Sequence, residues 1–403
     1  MAGNVVVIGG GQAGASLVAK LRALGHDGAI TLICDEPVPP YQRPPLSKKY
    51  LLGEMEQERL YLRPESFYED NGINLLTGTP AESIDRKAKT VTVGGVALPY
   101  DSLALCTGSL PRNLPASIGG DLAGVYTVRT LADVDQMAPE FAEGRRALVV
   151  GGGYIGLEAA AVAATRGVHV TLVEQMDRIL NRVASAETAD FIRALHQSHG
   201  VDLREGTGLT TIEGKDGRVS RAGLADGTSL DVDFVIVGIG ITPDTRLSQA
   251  AGLALDNGIA VDAQCRTSDP AIYAAGDCAS FPWANGRIRL ESVQNAIDQA
   301  EHVAGAIMGS DAAYRPYPWF WSDQFDCKLQ IAGLNTGFDR VVTRPGSRPG
   351  GQSVWYFRGH DLLAVDAMGD PKAYMQAKRW IEAGVSPNPQ KIGDPGLDLK
   401  SLA

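Results

Sequence analysis

The sequence predicts an α/β fold with two Rossmann-type nucleotide-binding domains, followed by a smaller C-terminal α+β domain. Three observations carry this prediction. The pattern G-x-G-x-x-G occurs twice, at residues 9–14 and 151–156, each time between an apolar strand and a helical pattern. Acids follow each pattern after about 20 residues, namely Asp35–Glu36 and Glu174. Each half then continues with short alternating strands and ends in another apolar strand, so the two halves share one design.

The first motif follows the apolar run Val5–Ile8, and its helical pattern ends at Gly25. In such motifs the first glycine allows a tight turn, the second lets the backbone approach a pyrophosphate, and the third packs the helix on the strand. The helix N-terminus offers unpaired N–H groups to the phosphates. We therefore expect Gly9, Gly11 and Gly14 to bind a pyrophosphate, and the acids Asp35–Glu36 suit an adenosine ribose.

The second motif predicts the same roles for Gly151, Gly153 and Gly156. Glu174 ends the strand that follows. A carboxylate at this position accepts hydrogen bonds from a ribose 2′-hydroxyl and repels a 2′-phosphate, so NADH is favoured over NADPH. Two dinucleotides in one chain indicate a donor and an acceptor, and therefore hydride transfer between them.

Two further segments belong with the first motif. The proline-rich stretch 39–48 is stiff and carries Arg43 and Lys48, a basic platform for a pyrophosphate and a reduced flavin. Asp277 follows the buried strand 271–275, at the end of a strand where open α/β sheets bind ligands. The first domain is therefore expected to be interrupted by the second. The predicted boundaries are 1–110 and 241–318 for the first domain, 111–240 for the second and 319–403 for the C-terminal domain.

Composition excludes several other classes of function. The net charge of -10 argues against nucleic-acid binding, which needs a basic surface. No apolar run reaches the roughly 18 residues of a membrane span, and no signal peptide is visible, so we expect a cytoplasmic protein. The five cysteines form no C-x-x-C pair, which predicts free thiols and no dithiol redox centre. His196 and His199 have no third ligand nearby, so no metal site is expected.

Taken together, the motifs resemble those of the bacterial FAD-dependent NADH–ferredoxin reductases that serve oxygenases. The resemblance runs from the first strand to about Gly337 and keeps the family's order of motifs. The segments that carry it are Arg43–Lys48, Cys106–Gly108, Gly151–Gly156, Ala274–Cys278, Glu291–Asn295 and Pro318–Gln324.

The resemblance implies a glutathione-reductase-like fold with an FAD domain, an NADH domain and a C-terminal domain. It implies hydride transfer from NADH to FAD N5, then single electrons to a [2Fe–2S] ferredoxin that feeds a cytochrome P450 or a Rieske-type oxygenase. Lys48, Glu158 and Trp321 match residues at the flavin, with Glu158 approaching the lysine. Further positions match FAD contacts: Gly9, Gly11, Gly14, Glu36, Arg43, Thr107, Gly108, Arg129 and Asp277. The positions that match the NADH site are Gly151, Gly153, Ile155, Gly156 and Glu174. Val293 departs from the pattern, because several relatives carry Trp there beside the flavin.

Other readings of the same residues stay open at this point. An NADH oxidase or quinone reductase would share the fold but often carries a redox cysteine after the second strand, where this chain has Tyr41–Arg43. A rubredoxin reductase is a close variant. A signalling flavoprotein without enzymatic function would need a long insertion that is not apparent. For docking an acidic ferredoxin we expect a local basic patch, with Arg287, Arg289, Arg340, Arg344 and Arg348 as candidates.

Overall fold

The structure is a computed structural model that describes residues 3–284 and 286–402. The chain forms two compact units. The first contains residues 1–43, 56–110 and 241–316, and the second contains residues 44–55, 111–240 and 317–403. The first unit is therefore interrupted twice along the sequence, by residues 44–55 and by residues 111–240. The three-domain boundaries themselves stay a prediction.

The helices are numbered along the chain. The α-helices are α1 (Gln12–Ala23), α2 (Glu65–Asp70), α3 (Leu131–Met137), α4 (Tyr154–Thr165), α5 (Ala186–Ser198), α6 (Arg246–Ala250), α7 (Val293–Ile307) and α8 (Pro371–Ala383). Short 3₁₀ helices lie at Pro44–Ser47, Gln57–Leu60, Ala116–Ile118, Ala138–Glu140 and Leu399–Ser401.

A five-stranded parallel sheet forms the centre of the first unit. Its strands, in spatial order, are Ile272–Ala274, Ser102–Leu105, Val5–Ile8, Ile30–Ile33 and Ile73–Leu76. These strands read as nearly continuous apolar runs because a parallel sheet is covered on both faces. Two three-stranded sheets accompany it: Ala81–Asp85, Thr90–Val93 and Val96–Pro99, and Ile259–Ala260, Ala279–Trp283 and Gly286–Ile288. Helix α1 packs against α7.

The second unit repeats this plan. Its parallel sheet has the order Asp202–Arg204, His169–Val173, Arg146–Val150, Phe234–Val237 and Val125–Tyr126. A three-stranded antiparallel sheet follows, with strands Leu209–Lys215, Arg218–Leu224 and Ser229–Asp231. The short strands Ser109–Pro111 and Ile241–Pro243 lie where the chain passes from one unit to the other.

An antiparallel five-stranded sheet completes the second unit. Its order is Trp319–Gln324, Cys327–Gly333, Asp361–Met368, Gln352–Arg358 and Arg340–Pro345. Helix α8 covers one face through Ala373, Tyr374, Ala377 and Trp380, which pack on buried strand residues such as Trp355. The C-terminal tail contributes Ile392, which is fully buried in this core.

Among the described helices, none combines the length and the apolar character that crossing a lipid bilayer would require.

Candidate functional site: two dinucleotide cradles and a buried ion pair

The first glycine of each motif makes a turn that other residues adopt only with strain. Gly9 has φ +120° and Gly151 has φ +108°, in the region that favours glycine. A Cβ atom at Gly9 would lie 2.1 Å from the carbonyl oxygen of Cys106, and one at Gly151 would lie 2.4 Å from that of Gly238. The backbone itself therefore requires both glycines, each directly after the central strand of its parallel sheet.

The third glycine of each motif permits close packing of helix on strand. A Cβ atom at Gly14 would lie 2.0 Å from the carbonyl oxygen of Gly9, and one at Gly156 would lie 2.1 Å from that of Gly151. Atoms cannot approach this closely, so α1 and α4 can begin beside their strands only with glycine here.

Neither backbone conformation nor packing within the protein requires glycine at the second position of each motif. Gly11 and Gly153 are the N-caps of α1 and α4 with φ −92° and −81°, which any residue can adopt. A Cβ atom at either position would meet no described atom within 4 Å beyond its chain neighbours. Open space in front of a helix N-terminus fits a pyrophosphate, which needs close approach to the backbone and unpaired N–H donors. Each unit thus has a cradle that suits one dinucleotide.

Glu174 is fixed beside the second cradle by backbone donors. Its Oε2 accepts a hydrogen bond from the N–H of Gly152 at 2.7 Å, and its Oε1 accepts one from the N–H of Met176 at 2.8 Å. The carboxylate is half-buried and keeps accepting capacity for a ribose hydroxyl. Arg178 lies nearby, but its guanidinium donates to the backbone carbonyls of residues 179, 181 and 185.

Glu36 has a similar position beside the first cradle, held by side chains. Tyr41 donates to its Oε2 at 2.6 Å, and Arg43 donates to its Oε1 at 2.7 Å. The Arg43 guanidinium also lies 5.1 Å from the centre of the Tyr41 ring. Burial opposes the charge of Arg43, but Tyr41 and Glu36 outweigh it and raise the pKa of the guanidinium. The cluster keeps a carboxylate and a permanent positive charge together in the first unit.

The remaining residues that the sequence assigned to FAD lie at ends of secondary-structure elements. Thr107 follows the strand Ser102–Leu105, and its hydroxyl donates to the carbonyl of Asp244 at 2.7 Å. Gly108 has φ +68°. Asp277 follows the strand Ile272–Ala274, and half-buried Val293 is the first residue of α7. Arg129 belongs to the second unit, where its N–H donates to Asp133 just before α3.

Lys48 and Glu158 form a buried ion pair in the second unit. Lys48 Nζ lies 2.6 Å from Glu158 Oε2, and the two side chains are 17% and 8% exposed. The ammonium also donates to the carbonyl of Pro44 at 3.3 Å. Of its three donors, the described residues therefore take two, which leaves one for a ligand. Burial strengthens the attraction within the pair and makes the loss of either partner costly.

The strand Trp319–Gln324 presents different residues on its two faces. Because side chains alternate along a strand, Phe320, Ser322 and Gln324 share one face, and Trp319 and Trp321 share the other. Phe320 packs edge-on against Tyr154 at 5.1 Å, and Ser322 donates to Glu158 Oε1 at 2.7 Å.

Tyr154 and Glu158 lie four residues apart and therefore share one face of α4. The strand face with Phe320 and Ser322 covers it. The Trp319 and Trp321 rings lie 5.8 Å apart on the other face.

Three functional side chains were missed by the sequence interpretation: Tyr41, Ser47 and Ser322. Ser47 donates to Glu158 Oε2 at 3.0 Å and is buried. Ser47 and Ser322 are direct neighbours of the predicted residues Lys48 and Trp321. Strand alternation could have indicated that Ser322 points away from the Trp321 face, but nothing local shows that it reaches α4.

The expected basic docking patch is wrong in part. Arg344 is buried, and its guanidinium donates to the backbone carbonyls of residues 392, 394 and 397. It holds the C-terminal tail and is not available to a partner. Arg289 pairs with Glu291, and Arg287 donates to the carbonyl of Val261 at 2.6 Å. Arg340 and Arg348 remain exposed.

All five cysteines are free thiols, and four of them are buried. Burial, with the nearby acids Asp35 and Glu36, raises the pKa of Cys34 to about 12, so it is a poor redox nucleophile. Cys34 lies directly after the strand Ile30–Ile33. In residues 3–284 and 286–402, no group of three or more potential ligands could hold a metal ion.

Family models match both parts of the chain. The model described as pyridine nucleotide-disulphide oxidoreductase matches residues 3–300, and the model described as reductase C-terminal matches residues 319–403.

Relatives match over the full length. Rhodocoxin reductase of Rhodococcus erythropolis is 42% identical, with 98% of this chain and 93% of the relative covered. Putidaredoxin reductase of Pseudomonas putida is 40% identical, with 99% and 96% covered. The crystal structure of a covalent putidaredoxin reductase–putidaredoxin complex matches with a TM-score of 0.95 at 40% identity, covering 99% of this chain and 98% of that one. The chain therefore belongs to the pyridine nucleotide-disulphide oxidoreductase family, and within it to the bacterial FAD-dependent NADH–ferredoxin reductases.

Proposed function

We propose that this chain is an FAD-dependent NADH:ferredoxin oxidoreductase. Bound FAD would supply hydride acceptance at N5 from NADH and single-electron transfer to two molecules of a [2Fe–2S] ferredoxin, which would feed a cytochrome P450 or a Rieske-type oxygenase. Such a reaction needs two bound dinucleotides held in a fixed arrangement and no acid–base triad.

The observation that carries the proposal is the duplicated cradle. Gly11 and Gly153 stand before helix N-termini with open space where a side chain would be, and neither backbone strain nor crowding accounts for them. A binding protein for one nucleotide needs one such cradle. Two of them, each with an acid beside it, support a donor and an acceptor in the same molecule.

The cradles divide the nucleotides between the units. Gly9, Gly11, Gly14 and Glu36 would hold the FAD pyrophosphate and ribose, with Arg43 nearby. Further FAD contacts would come from Thr107, Gly108, Arg129, Asp277 and Val293. Gly151, Gly153, Ile155, Gly156 and Glu174 would hold NADH. The side chain of Ile155 is 43% exposed at the first turn of α4, which suits an apolar contact with the nicotinamide.

Lys48, Glu158 and Trp321 would act at the flavin. Lys48 would stabilise negative charge on the reduced ring, because its ammonium is buried and one of its donors is not taken by described residues. Glu158 would position that ammonium, and Trp321 would lie against the ring. Hydride transfer depends on such fixed positions, since a misplacement of about 1 Å can cost a hundredfold in rate.

NADH is preferred over NADPH in this proposal. A 2′-phosphate would meet the carboxylate of Glu174, which two backbone N–H groups fix in place. Arg178 cannot readily compensate, because its guanidinium is engaged with backbone carbonyls.

The alternative functions differ in the electron acceptor. The names of the relatives and the solved complex with putidaredoxin favour a [2Fe–2S] ferredoxin. Rubredoxin reductase is less favoured, since a rubredoxin-NAD(+) reductase of Pseudomonas putida is 36% identical over 91% of the chain. An oxidase that uses a cysteine after the second strand is disfavoured by the burial of Cys34. We place the enzyme in the cytoplasm, where NADH is available and free thiols such as its five cysteines persist.

Acceptor competition tests the proposal. The purified flavoprotein is reduced with NADH, and its turnover is compared with a [2Fe–2S] ferredoxin, a rubredoxin, a quinone and oxygen as acceptors. We expect the ferredoxin to give the highest kcat/KM. A higher value with oxygen or quinone would contradict the ferredoxin assignment while leaving the flavoenzyme intact.

A further inference from the structure

A chain of buried polar side chains leads away from the Lys48–Glu158 pair into the second unit. Ser322 Oγ lies 2.7 Å from Glu158 Oε1, and Gln324 Nε2 lies 3.1 Å from Ser322 Oγ. His196 Nε2 lies 2.9 Å from Gln324 Oε1. Ser322, Gln324 and His196 are at most 1% exposed. These hydrogen-bonded side chains connect α4 to the antiparallel five-stranded sheet and then to α5.

The hydrogen bonds between these side chains have a defined direction of donation. His196 Nδ1 has no hydrogen-bond partner among the described residues. A proton on Nδ1 would be a buried donor without an acceptor, which is costly, so the ring proton belongs on Nε2. Burial lowers the pKa of His196 to about 4, which keeps the ring neutral near pH 7.

The tautomer of His196 then sets every later bond. Nε2–H donates to the oxygen of the Gln324 amide, which turns the amide NH₂ towards Ser322. The Ser322 oxygen accepts that bond, so its own proton is directed to Glu158. The opposite tautomer would reverse the amide and draw the serine proton to Gln324. Glu158 would then lose one of its three donors, Ser47, Lys48 and Ser322.

We infer that Ser322, Gln324 and His196 form a hydrogen-bond relay that positions the Glu158 carboxylate against Lys48. The inference deepens the proposed function and rests on it for its effect on catalysis. These are positioning residues, since they act through Glu158 and Lys48. Because Ser322 holds Oε1, the Glu158 carboxylate cannot rotate freely. Its Oε2 therefore stays directed at the Lys48 ammonium.

The first test removes the last donor of the relay. Ser322→Ala should lower the limiting rate of flavin reduction by NADH about tenfold, a modest part of the loss that misplacement of reacting groups can cause. The dissociation constant for NADH should stay within about twofold, because the NADH cradle is intact. Ser322→Thr, which keeps the hydroxyl, should restore most of the rate. Ser353→Ala is the matched control, because Ser353 is also buried in this sheet but its side chain bonds, among the described residues, only with Trp355.

The second test acts at the far end. His196→Gln offers an N–H in place of Nε2, whereas His196→Leu removes the donor. We expect the rate to fall in the leucine variant and to remain closer to wild type in the glutamine variant. Equal rates in all of these variants would overturn the relay.

A third measurement does not depend on turnover. Heteronuclear NMR of the histidine ring nitrogens in the wild-type holoenzyme, assigned with His196→Gln, should show His196 as the neutral Nε2–H tautomer. An Nδ1–H tautomer would refute the relay whatever the kinetics. Failure of NADH to reduce the wild-type flavin would instead contradict the proposed function, so the two failures are distinguishable.

Discussion

Lys48 and Glu158 are 110 positions apart in the chain, yet their charged groups lie 2.6 Å apart and are almost shielded from solvent. The pair is assembled by the short helix Pro44–Ser47, which precedes Lys48, and by α4, which begins at the second glycine motif. The last residue of the proline-rich stretch 39–48 is thereby tied to the helix of the second cradle. The predictions below start from this pair and from the two cradles.

Neutralising Glu158 should slow hydride transfer. Glu158→Gln keeps the size of the side chain but removes the charge that holds Lys48, so we expect the limiting rate of flavin reduction by NADH to fall at least about tenfold. Lys48→Met should have a similar or larger effect, because it leaves Glu158 buried without its partner. Stopped-flow absorbance of the flavin measures both. Lys49→Met is the control, since Lys49 is adjacent and exposed; an equal loss in that variant would exclude a specific role for the pair.

The middle and last glycines of the second motif should respond differently to alanine. Gly153→Ala meets no described atom and no strain, so stability should change by less than about 0.5 kcal/mol. NADH binding should weaken at least tenfold, about 1.4 kcal/mol, because the methyl group occupies the pyrophosphate space.

Gly156→Ala places a Cβ atom 2.1 Å from the carbonyl oxygen of Gly151, so it should lower the free energy of unfolding by about 1–3 kcal/mol. Urea unfolding and NADH titration of both variants separate these effects. The cradle assignment would be wrong if Gly153→Ala bound NADH as tightly as wild type.

Removing the charge of Glu174 should relax coenzyme selectivity. In Glu174→Gln the repulsion of a 2′-phosphate is lost, so kcat/KM for NADPH relative to NADH should rise about tenfold. The kcat/KM for NADH should itself fall, because the carboxylate also fixes the N–H groups of Gly152 and Met176. Steady-state kinetics with both coenzymes measure the ratio, and Glu187→Gln, at an exposed position of α5, is the control. An unchanged ratio would mean that selectivity lies elsewhere.

Asp366 should make stability depend on pH. Burial raises the pKa of Asp366 from 3.8 to about 6, although Tyr356 and Thr188 donate to it. Because the pKa of Asp366 is higher in the folded state, its protonation stabilises the fold. This contribution to the free energy of unfolding is fully present below pH 3.8 and is lost as pH rises through about 6. The difference between the two values corresponds to about 3 kcal/mol.

Asp366→Asn has no such titration, so its unfolding free energy relative to wild type should increase by up to about 3 kcal/mol between about pH 4 and pH 7. Urea unfolding across this range measures it, with exposed Asp361→Asn on the same strand as the control. A relative stability that stays constant or falls with rising pH would contradict the buried, easily protonated carboxyl.

The sequence was most informative where the chemistry is local. The two glycine motifs predict the cradles, because turn, approach and packing are properties of adjacent residues. The strand Val5–Ile8 likewise has the bounds of the apolar run before the first motif.

It was least informative where residues meet through the tertiary fold. His196 was weighed only as a metal ligand and is instead bonded to Gln324, 128 positions away. Arg344 was taken as a surface charge, although three carbonyls of the tail surround it. No periodicity in one sequence can show such partners.

Electron transfer to a ferredoxin tests the central claim most directly. The holoenzyme is reduced anaerobically with one equivalent of NADH in a stopped-flow instrument and mixed with an oxidised [2Fe–2S] ferredoxin. Reoxidation of the flavin should coincide with bleaching of the iron–sulfur absorbance, with two ferredoxins reduced per NADH because each accepts a single electron. If the NADH-reduced flavin remained reduced in the presence of every ferredoxin tried and was reoxidised only by oxygen or a quinone, the account of this chain as a ferredoxin reductase would be contradicted.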